Sequence, residues 1–483
     1  GKTYVVRDYF DVFDEVYCPK EHTFEFLQNV LTEVMELFPS HYIHIGGDEC
    51  PKKAWKKCAH CQHLMKWEGL PNEEALQSWF IHRIEQFVNS KGRDIIGWDE
   101  ILEGGLAPNA TVMSWRGEKG GIEAAHQRHK VIMTPGKKCY LDYYQESPEF
   151  APLAIGGFLP LDTVYNYNPL PAELTPEEQA YIIGVQANIW GEYIQTPEYF
   201  EYMAFPRLLA MSEVQWTQPE HKDFESFARR LDKEFERLDY CGVNACRNFY
   251  EVNQAGAWNK SQQTYEVTLN TFCPDADIYY AVNDSTVNTS SSLYKTPIPL
   301  DEDATVYSAV YRDGKPLGKV TRKSFAVNKA TGCDYTCNPA AGWEHLNEGF
   351  GLTDGRRGYA RDMRRWISFY QDTVQIVVEL KKPQKVKEVA FSSLWRPVNE
   401  IWPARAMSVS VSMDGQTFIP VGTKRLTYDF SLTEGTRFPA SLSFAETEAT
   451  FVRLELLSGG LCPKGYFHEG LQSELAIDEI EIY

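Results

Sequence analysis

Long apolar runs are missing from this sequence. None approaches the about 20 consecutive apolar residues that a membrane-crossing helix needs, and "YIIGVQANIW", among the longest, reads as a buried strand. Positive charge is in deficit: 67 acidic residues stand against 48 basic ones, a net charge of −19, with no basic patch and no Lys/Arg stripe interleaved with aromatics. Nucleic acid and anionic membrane surfaces are therefore excluded as expected partners. Low-complexity tracts and short repeats are absent as well, which excludes solenoid and fibrous architectures. Cysteine is scattered rather than dense. The 11 residues (18, 50, 58, 61, 139, 241, 246, 273, 333, 337, 462) form no disulfide framework, and their odd number keeps at least one out of any intramolecular pairing. No signal peptide is visible, and an opening Gly1 is compatible with removal of a leader.

What is present is a chain of 483 residues, long enough for roughly two to four domains. Its 43% hydrophobic and 24% charged residues are those of a globular protein. Aromatics reach 13%, enough to fill large cores and also to build flat apolar walls of the kind that stack on sugar faces. From about residue 20 to 240, helical and strand signals alternate. Leu27, Val30, Leu31, Val34 and Phe38 recur at helical spacing up to Pro39, and "YIHIG" follows as a strand. Asn72 reads as the N-cap of a helix with Leu76, Trp79, Phe80, Ile84, Phe87 and Val88 on one face and Gly92 beyond its end. Thr196-Pro197 starts another helix, which Pro206 should kink.

Such alternation predicts parallel strands with helical crossovers. Four strand signals finish in polar or aromatic tails, "GGDE", "GWDE", "SWRG" and "NIWGE". Chemistry gathered at the C-terminal ends of successive strands predicts an α/β class fold of the (β/α)8 barrel type. A doubly wound sheet would concentrate its site at one switch point instead. After about residue 245 the pattern turns all-β, with a small β-sandwich expected over 246–330 and a second over 331–483, including Asp313-Gly314 and Asp414-Gly415 as turns.

The chemistry concentrates in "HYIHIGGDEC". On a regular strand Asp48 and Glu49 would point to opposite faces. Gly46 and Gly47 permit a bend that brings both to one site and lets a ligand approach the backbone. Adjacent carboxylates also separate in pKa, one remaining an anion while the other holds a proton to donate. The bland alternative is a solvated acidic loop.

Taken in order, "HIGGDEC", "GWDEIL", "SWRG", "CYLDYY" and "NIWGEYI" resemble the family 20 glycoside hydrolases, the β-N-acetylhexosaminidases, over about residues 10–240. The resemblance implies that Glu49 protonates the glycosidic oxygen and then activates water. It implies that Asp48 orients the substrate's 2-acetamido group, whose carbonyl oxygen attacks C1, the substrate-assisted exception to the two-carboxylate scheme. It places Tyr140 on the acetamido oxygen, Asp142 and Glu192 on sugar hydroxyls, and Trp98, Trp115 and Trp190 as an apolar box. It further implies a terminal β-linked GlcNAc or GalNAc of a glycan as substrate, catalysis with no metal or organic cofactor, and export from the cytoplasm. The motifs begin at the fourth of eight expected barrel strands, so residues 1–245 are expected to be the C-terminal part of the barrel, with "GKTYVVRDYFDVFDEVYC" matching the stretch before the helix that precedes the fourth strand. An upstream segment outside this chain, or a fragment, is the expectation, because half a barrel leaves open sheet edges.

Two further features compete for a role. In "CPKKAWKKCAHCQH", Cys50, Cys58 and Cys61, with His60 or His63, stand at zinc-compatible spacing. With a single C-x-x-C and no second pair, packed thiols or a disulfide are preferred over a metal. The closing region, with "LTDG", Trp366, Trp395 and "IDEIEIY", resembles discoidin-like (coagulation factor 5/8 type C) galactose-binding domains. Relatives of that kind often bind carbohydrate, which leaves a non-catalytic glycan-binding protein as the alternative, with exposed aromatics near Trp395 or Trp402 as its surface unless both tryptophans are core.

Overall fold

The computed structural model describes residues 12–342, 351–432, 435–466 and 469–483. Of the stretch expected to precede the first helix, residues 1–11 lie outside the described residues. The chain forms two compact units, one of residues 1–145 and 158–224, the other of residues 146–157 and 225–483.

In chain order the first unit runs α1 (Glu21–Leu37), β1 (Tyr42–His44), α2 (Lys53–Lys57), α3 (Ala59–Glu68), α4 (Glu73–Ser90), β2 (Asp94–Trp98), β3 (Thr111–Ser114), α5 (Lys119–His126), β4 (Val131–Met133), α6 (Gly136–Cys139), α7 (Leu161–Tyr165), α8 (Pro176–Gln179), β5 (Ile182–Val185), α9 (Pro197–Ala204) and α10 (Arg207–Trp216). The five strands make one sheet in the order β1-β2-β3-β4-β5, every pair parallel. Each strand neighbours its successor, so the sheet has no reversal of order of the kind that defines a doubly wound switch point. Ile95, Val112, Val131 and Met133 are fully buried, as expected of parallel strands covered by crossover helices.

The local signals explain the helices. Asn72 Oδ1 accepts from the Ala75 N–H at 2.9 Å, capping α4, and Gly92 (φ 74°) follows its end. Thr196 Oγ1 accepts from the Tyr199 N–H at 3.1 Å, and at Pro206, where a kink is expected, the helix breaks outright, α9 ending at Ala204 and α10 starting at Arg207. Helix α1 forms where its periodicity predicts, but its stripe is not core: Val30 and Phe38 are exposed, Leu27, Leu31 and Val34 are half-buried, and Thr23, Phe24 and Met35 are the buried positions. The cause is that α1 packs on α4 through Phe24, 4.6 Å from the Phe80 ring and 5.8 Å from Trp79. β1 and β5 each pair on one side only among the described residues, and Ile183 of β5 is exposed.

From residue 225 onward the second unit holds all but the first residue of a helix, Phe224–Tyr240, and is then β-rich. Strands Asn253–Asn259, Thr264–Asn270 and Ile298–Leu300 form one antiparallel sheet. Strands Asp277–Val282, Ser292–Leu293, Ala304–Arg312, Lys315–Pro316 and Thr321–Phe325 form another. Arg312 pairs with Lys315 around Asp313 (φ 50°) and Gly314 (φ 73°), the two-residue turn expected there. A larger sheet is built on two long antiparallel strands, Thr373–Trp395 and Thr436–Leu457. Met407, Val409 and Val411 point into its core beside Val374, Ile376 and Val378. Trp395 and Trp402 form a separate cluster with Phe438 and Cys462 and are 3% and 6% exposed, so the two indoles are core, while Phe430 and Tyr466, whose rings pack on them, are exposed. The acids of "IDEIEIY" are structural: Asp478 accepts from the Gly358 and Ser392 N–H groups and from Arg437 Nε, and Glu479 from the Asp354 and Gly355 N–H groups of "LTDG". These partners satisfy carboxylates that burial would otherwise penalise heavily. Among the described residues no helix is long and apolar enough to cross a membrane.

Candidate active site

β1 stops at His44, and the chain then turns through Gly46 (φ 75°) and Gly47 (φ 99°). A Cβ on Gly47 would lie 2.7 Å from Ile101 Cγ2, so both the backbone angle and the packing require glycine. Glu49 itself has φ 45°, a left-handed conformation that costs a non-glycine residue on the order of 1 kcal/mol. The turn is anchored from α4, where Gln77 Nε2 donates to the Gly47 carbonyl at 2.8 Å, and by Lys52 Nζ, which donates to the Cys50 carbonyl at 2.8 Å and also to Gln77 Oε1. Asp48 and Glu49 are thus both presented in an exposed turn beyond the strand rather than on opposite faces of it. Partial desolvation, and then the neighbouring Asp48 charge, hold the Glu49 carboxyl above the ordinary carboxylate range.

His44 connects this pair to an aromatic cluster. Its ring lies 4.7 Å from that of Trp98, and its Nδ1 accepts from the Gly46 N–H at 3.1 Å. Desolvation beside the indole lowers its pKa, while the Asp48 charge works against that shift. Trp98, at the end of β2, is 6.5 Å from Trp115 after β3 and 5.9 Å from Trp190 after β5. Tyr140, after α6, stacks against Trp115 at 6.4 Å and meets Trp190 edge-on at 6.2 Å. The four rings come from the ends of four strands or their following segments and form one continuous group. Burial raises the Tyr140 phenol above its usual value, while hydrogen bonding to Asn188 and Trp190 opposes the rise, so the hydroxyl is a neutral donor.

Asp142 lies just beyond. It is 4% exposed, and its Oδ1 meets no hydrogen-bond donor among the described residues. Burial pushes its pKa up to about 6; the Glu192 charge adds to the rise, while backbone N–H bonds and Arg207 oppose it. Glu192 is exposed. The structure therefore groups Asp142 with Glu192, groups Tyr140 with the three tryptophans, and links Asp48 and Glu49 to that box through His44.

Several contributing residues carried no role in the sequence reading. "GWDE" supplies Asp99 and Glu100, 2% and 7% exposed. Asp99 Oδ2 accepts from the Trp115 and Arg116 N–H groups at 3.0 and 3.2 Å, its Oδ1 pairs with Arg116 Nε, and Glu100 Oε2 accepts from Trp115 Nε1 at 2.9 Å. These acids position an indole wall. The sequence signal was the recurrence of D-E after a strand, but it does not separate a presented pair from a buried one.

Arg207 had no signal at all. It is fully buried at the start of α10, and its guanidinium donates to the carbonyls of Tyr143 and Leu159 at 2.9 Å, Leu141 at 2.5 Å and Met203 at 2.6 Å. The segment carrying Asp142 is thereby clamped to α9. Arg207→Met removes the buried donor and leaves these carbonyls to find other partners. It is expected to cost about 3–5 kcal/mol, read as a lowered urea midpoint. It should also raise the Asp142 pKa further, because the Arg207 charge opposes that rise.

A beta-hexosaminidase of Porphyromonas gingivalis is 54% identical over 235 residues, 48% of this chain and 30% of that protein. A beta-hexosaminidase of Vibrio furnissii is 37% identical over 195 residues, 39% of this chain and 32% of that protein. The crystal structure of a GH20 exo beta-N-acetylglucosaminidase from Vibrio harveyi, in complex with N-acetylglucosamine, aligns at 35% identity with a TM-score of 0.43, covering 47% of this chain and 36% of that one. The chain spans about a third of the length of the two curated relatives it matches here. Residues 253–321 match the chitobiase/beta-hexosaminidase C-terminal domain, and residues 2–219, which hold every candidate site residue, match the catalytic domain of glycosyl hydrolase family 20.

Proposed function

We propose that this chain carries the acid–base and acetamido-binding part of an exo-acting β-N-acetylhexosaminidase, removing terminal β-linked GlcNAc or GalNAc from glycans. Residues 1–245 are assigned as the C-terminal part of a (β/α)8 barrel, 246–330 as a small β-sandwich and 331–483 as a discoidin-like sandwich, in an exported protein. The observation that carries this proposal is the aromatic group of Trp98, Trp115, Trp190 and Tyr140, linked through His44 to a carboxylate pair with a raised Glu49 pKa. An apolar wall with few placed polar groups suits a pyranose and an acetamido methyl.

In the proposed reaction the acetamido carbonyl oxygen attacks C1 and displaces the aglycone oxygen, which takes the proton of Glu49. Asp48 accepts a hydrogen bond from the acetamido N–H and offsets the positive charge of the resulting oxazoline-type ring, while the Tyr140 hydroxyl donates to the acetamido oxygen. Water then attacks C1 with Glu49 accepting its proton, so the anomeric configuration is retained. A raised Glu49 pKa suits this exchange, because the group must hold a proton in one step and take one in the next. Asp142 and Glu192 accept from sugar hydroxyls, and a hydroxyl would supply the partner that Asp142 Oδ1 lacks.

The test is nitrophenol release from the aryl β-N-acetylglucosaminide and from the plain β-glucoside. Turnover of the first alone is expected; equal turnover of both would overturn the mechanism. The same assay on a polypeptide extended at its N-terminus separates an unclosed sheet from a lack of activity.

Asp142 adds a stability prediction. Its folded-state pKa of about 6 lies above the ordinary 3.8, so stability falls as pH rises between these values, and the loss is complete above about pH 6. Asp142→Asn removes the cost. The variant is expected to be more stable than the parent at pH 7, by on the order of 2 kcal/mol, and equal to it near pH 3, with a lower kcat/KM. Urea unfolding at the two pH values checks the sign.

A further inference from the structure

Three thiols meet where the segment that follows Glu49 packs on the residues ahead of α1. Cys18, ahead of α1, and Cys58 and Cys61, at the start of α3, place their Sγ atoms all within 4.8 Å of one another. The Cys18 and Cys61 sulfurs are 3.9 Å apart, nearly twice the about 2.05 Å of a disulfide. That separation matches the about 3.8 Å edge of a tetrahedron of thiolates around zinc at Zn–S distances near 2.3 Å. Cys50, which the sequence spacing suggested, is not in the trio. Cys18, 43 positions from Cys61 in the chain, takes that place.

The surroundings are those of a staple. α2 and α3 span only 5 and 10 residues, with Trp55, Cys61 and Met65 as their buried side chains. Trp55 Nε1 donates to the Tyr17 carbonyl at 3.0 Å, and His60 Nε2 lies 3.3 Å from the Pro19 carbonyl, so both residues flanking Cys18 are held against this small pair of helices. Buried cysteines often behave as small hydrophobes. Here, however, two come from one helical turn and a third from a distant segment, and all three sulfurs converge on one point. Among the described residues this is the group of His, Cys, Asp and Glu side chains close enough to share an ion.

We propose that Cys18, Cys58 and Cys61 bind a soft divalent metal of the zinc class, and that this structural site ties the segment before α1 to the loop after the Asp48-Glu49 turn. Binding exchanges thiol protons for metal–sulfur bonds and needs no oxidant. The site lies apart from the acid–base chemistry assigned above and stands or falls independently of it.

The experiment is metal analysis of the full chain, purified under reducing conditions, supplied with zinc and dialysed. About one equivalent per chain is expected, lost in Cys18→Ser, Cys58→Ser and Cys61→Ser and kept in Cys241→Ser, whose thiol is exposed and outside the trio. Cobalt(II) in place of zinc on the unchanged chain should give thiolate-to-metal charge-transfer absorption and the visible bands of tetrahedral cobalt, a readout that holds even if a serine variant fails to fold. Retention of zinc by the three serine variants would overturn the site. So would a reduced chain that takes up neither metal, or peptide mapping that finds a disulfide among the three cysteines in the chain supplied with zinc.

Discussion

Glu49→Gln is expected to lower kcat on N-acetylhexosaminides with poor leaving groups by about 10³-fold, with KM little changed. Gln keeps the size of the side chain and the left-handed backbone at φ 45°, so the loss reports the proton and not the fold. The effect should shrink steeply for a dinitrophenyl leaving group, which departs without protonation. The pH profile gives a second readout. A general acid works only while protonated, so kcat/KM falls as pH rises through the Glu49 pKa. Desolvation and the Asp48 charge raise that pKa, which places the falling limb above the ordinary carboxylate range. In the Gln variant the limb should disappear. Comparable losses on all leaving groups, with the limb retained, would assign the proton to another residue.

The elements legible in the sequence were those whose information is local. Asn72 and Thr196 act on backbone groups within a few residues, so the starts of α4 and α9 followed from chemistry written in the chain, and Pro206 marked where the second of these helices departs from a straight course. Gly46-Gly47 likewise announced a bend, because the conformation it permits belongs to glycine whatever surrounds it. The tails at strand ends were readable for a related reason: parallel strands in sequential order bring their C-terminal ends to one side.

What stayed hidden depended on packing between distant segments. "GGDE" and "GWDE" look alike, yet one presents its acids and the other buries Asp99 and Glu100 beneath Trp115 and Arg116. Arg207 reads as an ordinary helix residue until the carbonyls of Leu141, Tyr143 and Leu159 surround it. Cys50 is near Cys58 in sequence, whereas Cys18 is near it in space. Trp395 and Trp402 carry nothing in their sequence context to distinguish a core tryptophan from a sugar platform, and the ring contacts among Trp395, Trp402 and Phe438 decide it.

Asp48 is where charge and orientation can be separated. Its proposed role has two parts, a hydrogen bond that holds the acetamido N–H and a negative charge that offsets the positive ring formed at C1. Asp48→Asn keeps an acceptor oxygen and removes the charge, so it is expected to lose roughly 10²–10³-fold in kcat on acetamido substrates. Asp48→Ala removes the acceptor too and should lose about tenfold more, the worth of one hydrogen bond. The neutral Asn also withdraws the like charge that helps to raise the Glu49 pKa. The falling limb of kcat/KM measured on the residual activity should therefore move to lower pH, whereas it would disappear if Asp48 itself were the proton donor. Equal losses in the Asn and Ala variants would make charge the whole of its contribution, whereas an unmoved limb would mean that the Asp48 charge does not set the Glu49 pKa.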